Sequence, residues 1–282
     1  TGGEIVNADA LQVYRDLKVL SARPGAEEEA RAPHHLFGFL DAAVACSAGL
    51  WSRLAAEAIS GIAARGRLAI LVGGTGLYFR ALSEGLSPIP DIADNIRERV
   101  RRRRVELGSE AFHADLVARD PASACLVAGD AQRLLRAAEV LEATGRPLSY
   151  FQAMRREPLI AAPLAALVIE PERAALYRIA EARFDAMLSA GAVDEARALL
   201  SRSLDPALPA MKALGAAELM AHLRGEMTLA EAVLLAKRNT RRFVKRQLTW
   251  FRNQTPGWMR ALDARSAVEM LASNKAIAPL AP

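Results

Sequence analysis

The sequence predicts an α/β fold, a parallel sheet interrupted by an all-helical insertion, and three stretches carry that prediction. Glu4 to Asp9 is a short β-prone run ending in polar residues. Leu68 to Val72 is a continuous apolar run entering Gly73-Gly74-Thr75-Gly76, with a helical pattern behind it. Strand, glycine turn and helix in that order belong to a parallel sheet covered by helices. At Ser87-Pro88-Ile89-Pro90-Asp91 two prolines end the alternation, and only helical periodicity follows.

Each element has a local reason. The first strand is expected to end at Asp9, its carboxyl end. Ser47 offers a hydroxyl to the first turn of a helix running to about Arg65. Leu68–Val72 is expected to be a buried strand and Leu77–Glu84 the helix after the glycine turn. Gly108, Pro121 and Gly129 break the helices of the insertion. The sheet pattern resumes at Leu164–Ile169, and Pro171 suits the first turn of the following helix. Thr228-Leu-Ala-Glu231 and Ser266-Ala-Val-Glu269 both match the reciprocal capping box. Residues 1–90 and 159–282 are therefore expected to form one α/β core, and 91–158 the helical insertion.

Composition narrows the function classes. The chain has 282 residues, 52% hydrophobic and 24% charged, the balance of a folded chain and not of a disordered one. Its longest uncharged apolar run, Leu159–Ile169, is shorter than the roughly 20 residues a membrane span needs. Cys46 and Cys125 stand far apart with no CxxC or Cys/His cluster, so no disulfide framework or zinc site is expected, and a reducing cytoplasm fits. The sequence opens Thr1-Gly2-Gly3-Glu4, without initiator methionine or signal segment, and is expected to begin inside a domain.

The net charge of +5 is unevenly placed. Lys237 to Arg252 holds Lys237, Arg238, Arg241, Arg242, Lys245, Arg246 and Arg252 and no acid, with Phe243, Trp250 and Phe251 interleaved. Such a segment suits a polyanion whose bases stack on aromatic faces, or a solvated helix with its aromatics turned inward. Arg97, Arg99 and Arg101–Arg104 go around most of a helix, which suits solvation for about half of them. The turn Gly73-Gly74-Thr75-Gly76 is either an anion cradle at a helix N-terminus or a tight turn without ligand. It is not a Walker A loop, since no GxxxxGK[ST] occurs in the sequence. Asp9 stands where open α/β sheets bind ligands, although an Asx turn is the ordinary use of such a residue. His34 and His35 read as loop histidines without a third metal ligand.

Five segments carry a resemblance to one family. Gly2-Gly-Glu-Ile-Val-Asn-Ala-Asp-Ala-Leu-Gln-Val-Tyr14, Pro33-His-His-Leu36, Val72-Gly-Gly-Thr-Gly-Leu-Tyr78, Asp130-Ala-Gln-Arg-Leu-Leu-Arg-Ala-Ala-Glu-Val140 and Lys245-Arg-Gln-Leu-Thr-Trp-Phe-Arg252 occur in order between about Gly2 and Trp258. Together they resemble the isopentenyl-tRNA transferase (tRNA dimethylallyltransferase) family. The resemblance implies a P-loop-kinase-like, nucleotide-binding core whose helical insertion helps grip the anticodon stem-loop. It implies transfer of a dimethylallyl group from dimethylallyl diphosphate to the exocyclic amine of the adenosine 3′ of the anticodon, with Mg2+ assisting the diphosphate.

By the same resemblance Asp9, Thr75 and Arg183 are the catalytic residues, with Asp9 accepting the proton of the amine. Gly73, Gly74, Thr75 and Arg183 contact the diphosphate, and Arg178 is a neighbour easily mistaken for Arg183. The tRNA contacts implied are Asp9, Ala10, Leu11, Gln12, Gln132, Arg133, Leu134, Leu135, Arg136, Lys212, Gly215, Lys245, Arg246, Gln247, Trp250 and Arg252. An adenine within a stacked loop is out of reach, so the base is expected to be flipped into a channel ending at Asp9. A cytoplasmic monomer without a membrane partner is expected.

This sequence departs from the family pattern in several places. The family's phosphate loop, ending Gly-Lys-Ser or Gly-Lys-Thr, lies upstream of Thr1, so the metal ligand is expected outside the chain. Ala10, Leu20, Arg23 and Ala216 differ from the usual serine, the Gly-Thr-Ala-Lys-Pro segment and an aromatic, and none removes a proposed catalytic group. Two further readings stay open, an inactive tRNA-binding module and a transferase acting on free adenine nucleotides. The insertion and the basic-aromatic segment have no use for a free nucleotide.

Overall fold

A computed structural model of the chain describes residues 2–160 and 164–274. In order these form β1 (Glu4–Asn7), α1 (Ala26–Arg31), β2 (His34–His35), α2 (Ala48–Ala64), β3 (Ala69–Val72), α3 (Gly76–Ser83), α4 (Asp94–Arg119), α5 (Ala131–Thr144), α6 (Leu148–Gln152), β4 (Leu167–Ile169), α7 (Arg173–Ser189), α8 (Ala192–Ser201), α9 (Ala216–Leu223), α10 (Leu229–Gln254), β5 (Met259–Ala261) and α11 (Ala264–Ala272). Short 3₁₀ turns cover Pro121–Cys125 and Ala210–Lys212. The predicted α/β class is the observed one. β1 is the middle strand of an all-parallel sheet ordered β2-β1-β3, with Ile5 opposite both His34 and Ile70. β4 and β5 form a second parallel pair.

The chain divides into two compact units, Thr1–Ser83 with Leu159–Pro282, and Glu84–Pro158. In the first, Val6, Val13, Tyr14, Leu17, Trp51, Ile62, Leu199 and Leu219 are buried together. The helix α2 covers the sheet, and the Ser47 hydroxyl caps it by accepting from the Leu50 N–H at 3.0 Å. In the second unit α4 folds back at Gly108, whose φ of 76° is left-handed and open to glycine at little cost. Val100, Phe112 and Leu116 from its two arms bury against Leu134, Ala137 and Ala138 of α5. Of the arginines from 97 to 104, Arg99 pairs with Glu142 and Arg103 with Asp115 at 2.6 Å, while Arg104 donates to Ser109.

Several expectations need correction. The helical unit starts at Glu84 and not at 91, because Ile89 packs on the Ile92, Val140 and Phe151 cluster and so belongs with the insertion. β1 ends at Asn7, where the chain turns away to make the Asx turn of Asp9. β3 is an edge strand with Ile70 and Val72 exposed, not a buried one. Pro171 lies just outside α7, whose N-cap is Glu172. The box at α11 is made by Asp263 and Ser266, one turn earlier than Ser266 and Glu269. Of the Leu159–Ile169 run, residues 161–163 lie outside the described residues. Both cysteines are free, and among the described residues no helix is long and apolar enough to cross a membrane.

The two histidines are not loop residues, for they form β2. His35 Nε2 lies 2.6 Å from Glu4 Oε2, and Arg65 reaches the same buried carboxylate with Nη2 at 2.7 Å and Nε at 3.1 Å. The Arg65 guanidinium above all, with His35 adding to it against the cost of burial, holds Glu4 down to about 2 from 4.5. A depressed folded value means the stabilisation is whole above about 4.5 and is lost as pH falls toward 2. In thermal melts across that window, Glu4→Gln should lower the melting temperature at neutral pH and flatten the acid limb; a variant with the wild-type limb would clear Glu4 of that role.

Candidate active site

The site begins at the carboxyl end of β1, where the strand's last residue does more than pair. Asn7 is fully buried, and its Oδ1 accepts from the Asp9 N–H at 2.8 Å. Its Nδ2 donates to the carbonyls of Asp9 and Leu36, both at 3.0 Å. Its own carbonyl accepts from Trp51 Nε1 at 2.9 Å. The Trp51 ring lies flat on Tyr78, with centroids 4.2 Å apart. Burial pushes the Tyr14 and Tyr78 hydroxyls and the Cys46 thiol above their usual ranges, so this wall behind the site is neutral. Asp9 therefore starts a turn whose direction is fixed from inside.

Asp9 makes that turn with one oxygen. Its Oδ1 accepts from the N–H of Leu11 at 2.8 Å and of Gln12 at 3.2 Å, the Asx-type use. Among the described residues Oδ2 meets no donor, so half of the carboxylate faces outward, half exposed as the residue is. The glycine turn closes on the same segment. The Thr75 N–H donates to the Ala8 carbonyl at 3.1 Å, and Thr75 Oγ1 accepts from the Ala10 N–H at 2.9 Å. Because that oxygen accepts from the backbone, the hydroxyl proton of Thr75 is left to point elsewhere.

Gly73 and Gly76 are required as glycines by their neighbours. A Cβ on Gly73 would strike the Ala8 and Asp9 backbone, one on Gly74 the Gln247 amide, and one on Gly76 the ring of Trp250. Gln247 Nε2 also donates to the Gly74 carbonyl at 2.8 Å, and Arg80 of α3 reaches Gln254 Oε1 at 2.9 Å. α10 thus lies along the turn and α3. Among the described residues no carbonyl accepts from the N–H of Gly73 or Gly74, so close protein packing and two free donors coexist in the turn.

The structure brings Asp9, Ala10, Leu11, Gln12, Gly73, Gly74, Thr75, Gln247 and Trp250 together, and Gln132, Arg133, Leu134, Leu135 and Arg136 belong to the helical unit. Gln247 and Trp250, expected on tRNA, are turned to the glycines. Arg252 pairs with Glu170. Gln12 spends its amide on the carbonyls of Ser21 and Ala22, and Leu11 packs on the core. Leu134 is wholly buried and offers no side-chain surface, Leu135 packs half-buried beside it, and Gln132 and Arg133 on the same helix are exposed. Arg136 is half-buried 3.9 Å from Glu139, and burial lowers its pKa. Gly215 is buried at φ 84° against Phe184, a structural position. Lys212, Lys245 and Arg246 are exposed.

Arg183 is exposed on α7 and joined to the Asp9 cluster by no hydrogen bond or ion pair among the described residues. It stands about 200° around that helix from Glu181, which faces α10. Asn7 is a site residue that the sequence reading missed, although an amide closing a strand two residues before an aspartate is a signal that sequence carries. Among the described residues no group of three or more His, Cys, Asp or Glu side chains is placed to hold a metal. A lone half-open carboxylate does not make a magnesium site.

Comparison with known proteins places the chain in a family. The model of the IPP transferase family matches residues 12–254, and the chain belongs to that family. A tRNA dimethylallyltransferase of Parvibaculum lavamentivorans is 53% identical over 258 residues, 91% of this chain and 82% of the relative. One from Maricaulis maris is 51% identical over 274 residues, 96% of this chain and 89% of that one. The solved structure of the full-length tRNA isopentenylpyrophosphate transferase of Bacillus halodurans is 32% identical, covers 95% of this chain and 86% of its own, and superposes with a TM-score of 0.67.

The contact of Gly76 with Trp250 can be measured. Gly76→Ala should cost about 1–3 kcal/mol of stability, the usual penalty of overpacking. In a Trp250→Ala background the same change should cost close to nothing, and additive denaturation midpoints would show that the ring does not set the glycine.

Proposed function

We propose that the chain transfers a dimethylallyl group from dimethylallyl diphosphate to N6 of the adenosine 3′ of the tRNA anticodon, releasing diphosphate. The observation that carries this reading is the juxtaposition of a half-open carboxylate at Asp9 with the hydroxyl of Thr75, bridged by the Ala10 N–H, in a chain of this family. The high identity to named tRNA dimethylallyltransferases supports the substrate pair.

The adenine amine is a poor nucleophile because its lone pair is delocalised into the ring. Asp9 Oδ2 accepts a hydrogen bond from the amine and orients it, while Oδ1 stays fixed by Leu11 and Gln12. As the N–C bond to the dimethylallyl carbon forms, the C–O bond breaks and its electron pair leaves with the diphosphate. The amine proton passes to Asp9. A carboxylate is a weak base, so this transfer falls late, when positive charge has built on nitrogen. At the leaving side the Thr75 hydroxyl and the free N–H groups of Gly73 and Gly74 are donors for the growing charge, each worth roughly 3 kcal/mol where such donors are well aimed. Arg183 reaches the diphosphate in this reading only through a substrate that spans to α7. Mg2+, if supplied with the diphosphate, would neutralise part of its charge, and the Asp9–Thr75 turn does not itself offer a ligand set for it. The tRNA substrate sets the reaction in the cytoplasm.

Asp9→Asn keeps the backbone turn and removes the base. Turnover on an adenosine-bearing tRNA should fall by about 10²–10⁴, with tRNA affinity within a few-fold. Mass spectrometry of the product and a binding isotherm check this, and an unchanged turnover number would remove Asp9 from the chemistry.

A further inference from the structure

The cations of α10 divide into two sets. From Lys237 to Gln254 the sequence has no acid, yet three of its seven cations are neutralised from outside the segment. Lys237 meets Asp185 at 2.6 Å, Arg241 meets Glu181, and Arg252 meets Glu170. Those carboxylates lie on α7 and just before it. Arg238, Arg242, Lys245 and Arg246 are all exposed, and among the described residues none of them meets a carboxylate; Arg246 lies 5.8 Å over the Phe243 ring.

The unpaired four recur at i, i+4, i+7 and i+8. At 100° per residue they fall within an arc of about 100°, next to the arc that carries the paired three. They run about 12 Å along the helix, the axial span of roughly three to four phosphates of one strand. A face kept only for solubility gains from mixed signs, whereas Arg238–Arg242 and Arg242–Arg246 are like-charge i,i+4 pairs that cost the helix a few tenths of a kcal/mol each. The same helix ends in Gln247 and Trp250, which touch the glycine turn. Trp250 and Gln247 lie about 40° and 100° further round the helix than the edge of the cationic arc, so the track runs beside the face that meets the turn.

We propose that Arg238, Arg242, Lys245 and Arg246 form a single track for the phosphodiester backbone of the substrate RNA, and that Lys237, Arg241 and Arg252 are structural and take no part. The proposal rests on the tRNA reading above. It adds Arg238 and Arg242 to the interface and withdraws Arg252.

The test is the salt dependence of binding between the full chain and a labelled anticodon stem-loop, with prenylation of the same RNA measured alongside. R238Q/R242Q should reduce the slope of log K against log salt by about 1.4–1.8, two phosphate contacts' worth, and raise KM for RNA with kcat kept at saturation. K237Q/R241Q should leave the slope unchanged and lower the melting temperature. An unmoved slope in R238Q/R242Q, or an equal fall in K237Q/R241Q, overturns the track while prenylation by the wild type leaves the function standing. A wild type that neither binds nor prenylates the stem-loop overturns both together.

Discussion

The hydrogen bonds of the Asn7 side chain are the constraint on which the site depends. Three backbone groups, the N–H and carbonyl of Asp9 and the carbonyl of Leu36, find their partner in one buried amide. Buried backbone groups left without partners cost about 1–3 kcal/mol each, so the turn after β1 has little freedom to relax elsewhere. Leu36 sits at φ 62°, an unusual conformation for a leucine, and its carbonyl is one of the groups the amide satisfies. Trp51 completes the arrangement by tying the strand's last carbonyl to α2. The strand order follows the same logic. β1 lies between β2 and β3, so both flanking loops arrive beside Asp9.

From that turn the order passes outward through two short bonds. The Ala10 N–H to Thr75 Oγ1 and the Thr75 N–H to the Ala8 carbonyl fix the carboxylate and the hydroxyl in one register. The Asp9 carboxylate and the Thr75 hydroxyl are thus parts of one loop pair, and a shift of either moves both. Geometry of this kind is what turns two bound reactants into an oriented pair. α10 closes the loop from outside with an amide and an aromatic ring, neither of them charged.

Sequence carried much of this frame and little of its wiring. β1, β3, α2 with its Ser47 cap, and the Thr228 box were legible because a strand's apolar run, a capping hydroxyl and a reciprocal box are local signals. The second parallel pair was half legible: Leu167–Ile169 reads as a strand, but Met259-Arg-Ala261 is too short and mixed to stand out. The exposure of β3 was hidden because it depends on sheet order and not on its own residues. The counter-charges of α10 were hidden for the same reason. Glu170, Glu181 and Asp185 lie some 50 to 80 positions before their partners, so a run that looks uniformly basic in sequence is only partly so in space.

The glycine turn meets the packing that one reading of its motif requires and keeps the N–H groups that the other would use. Read as an anion cradle, Gly73-Gly74-Thr75-Gly76 needs free N–H groups; read as a tight turn, it needs room for protein neighbours. The Cβ positions of Gly73 and Gly76 are filled by the Ala8–Asp9 backbone and the Trp250 ring, which require glycine, while at Gly74 the end of the Gln247 side chain occupies the space. The N–H groups of Gly73 and Gly74 are not consumed by that packing. A glycine whose missing side chain is replaced by protein is stiffer than one facing solvent, and preorganised donors are worth more to a leaving anion than mobile ones. Packing on one side of the turn therefore holds it rigid while, among the described residues, the N–H groups of Gly73 and Gly74 stay unpaired.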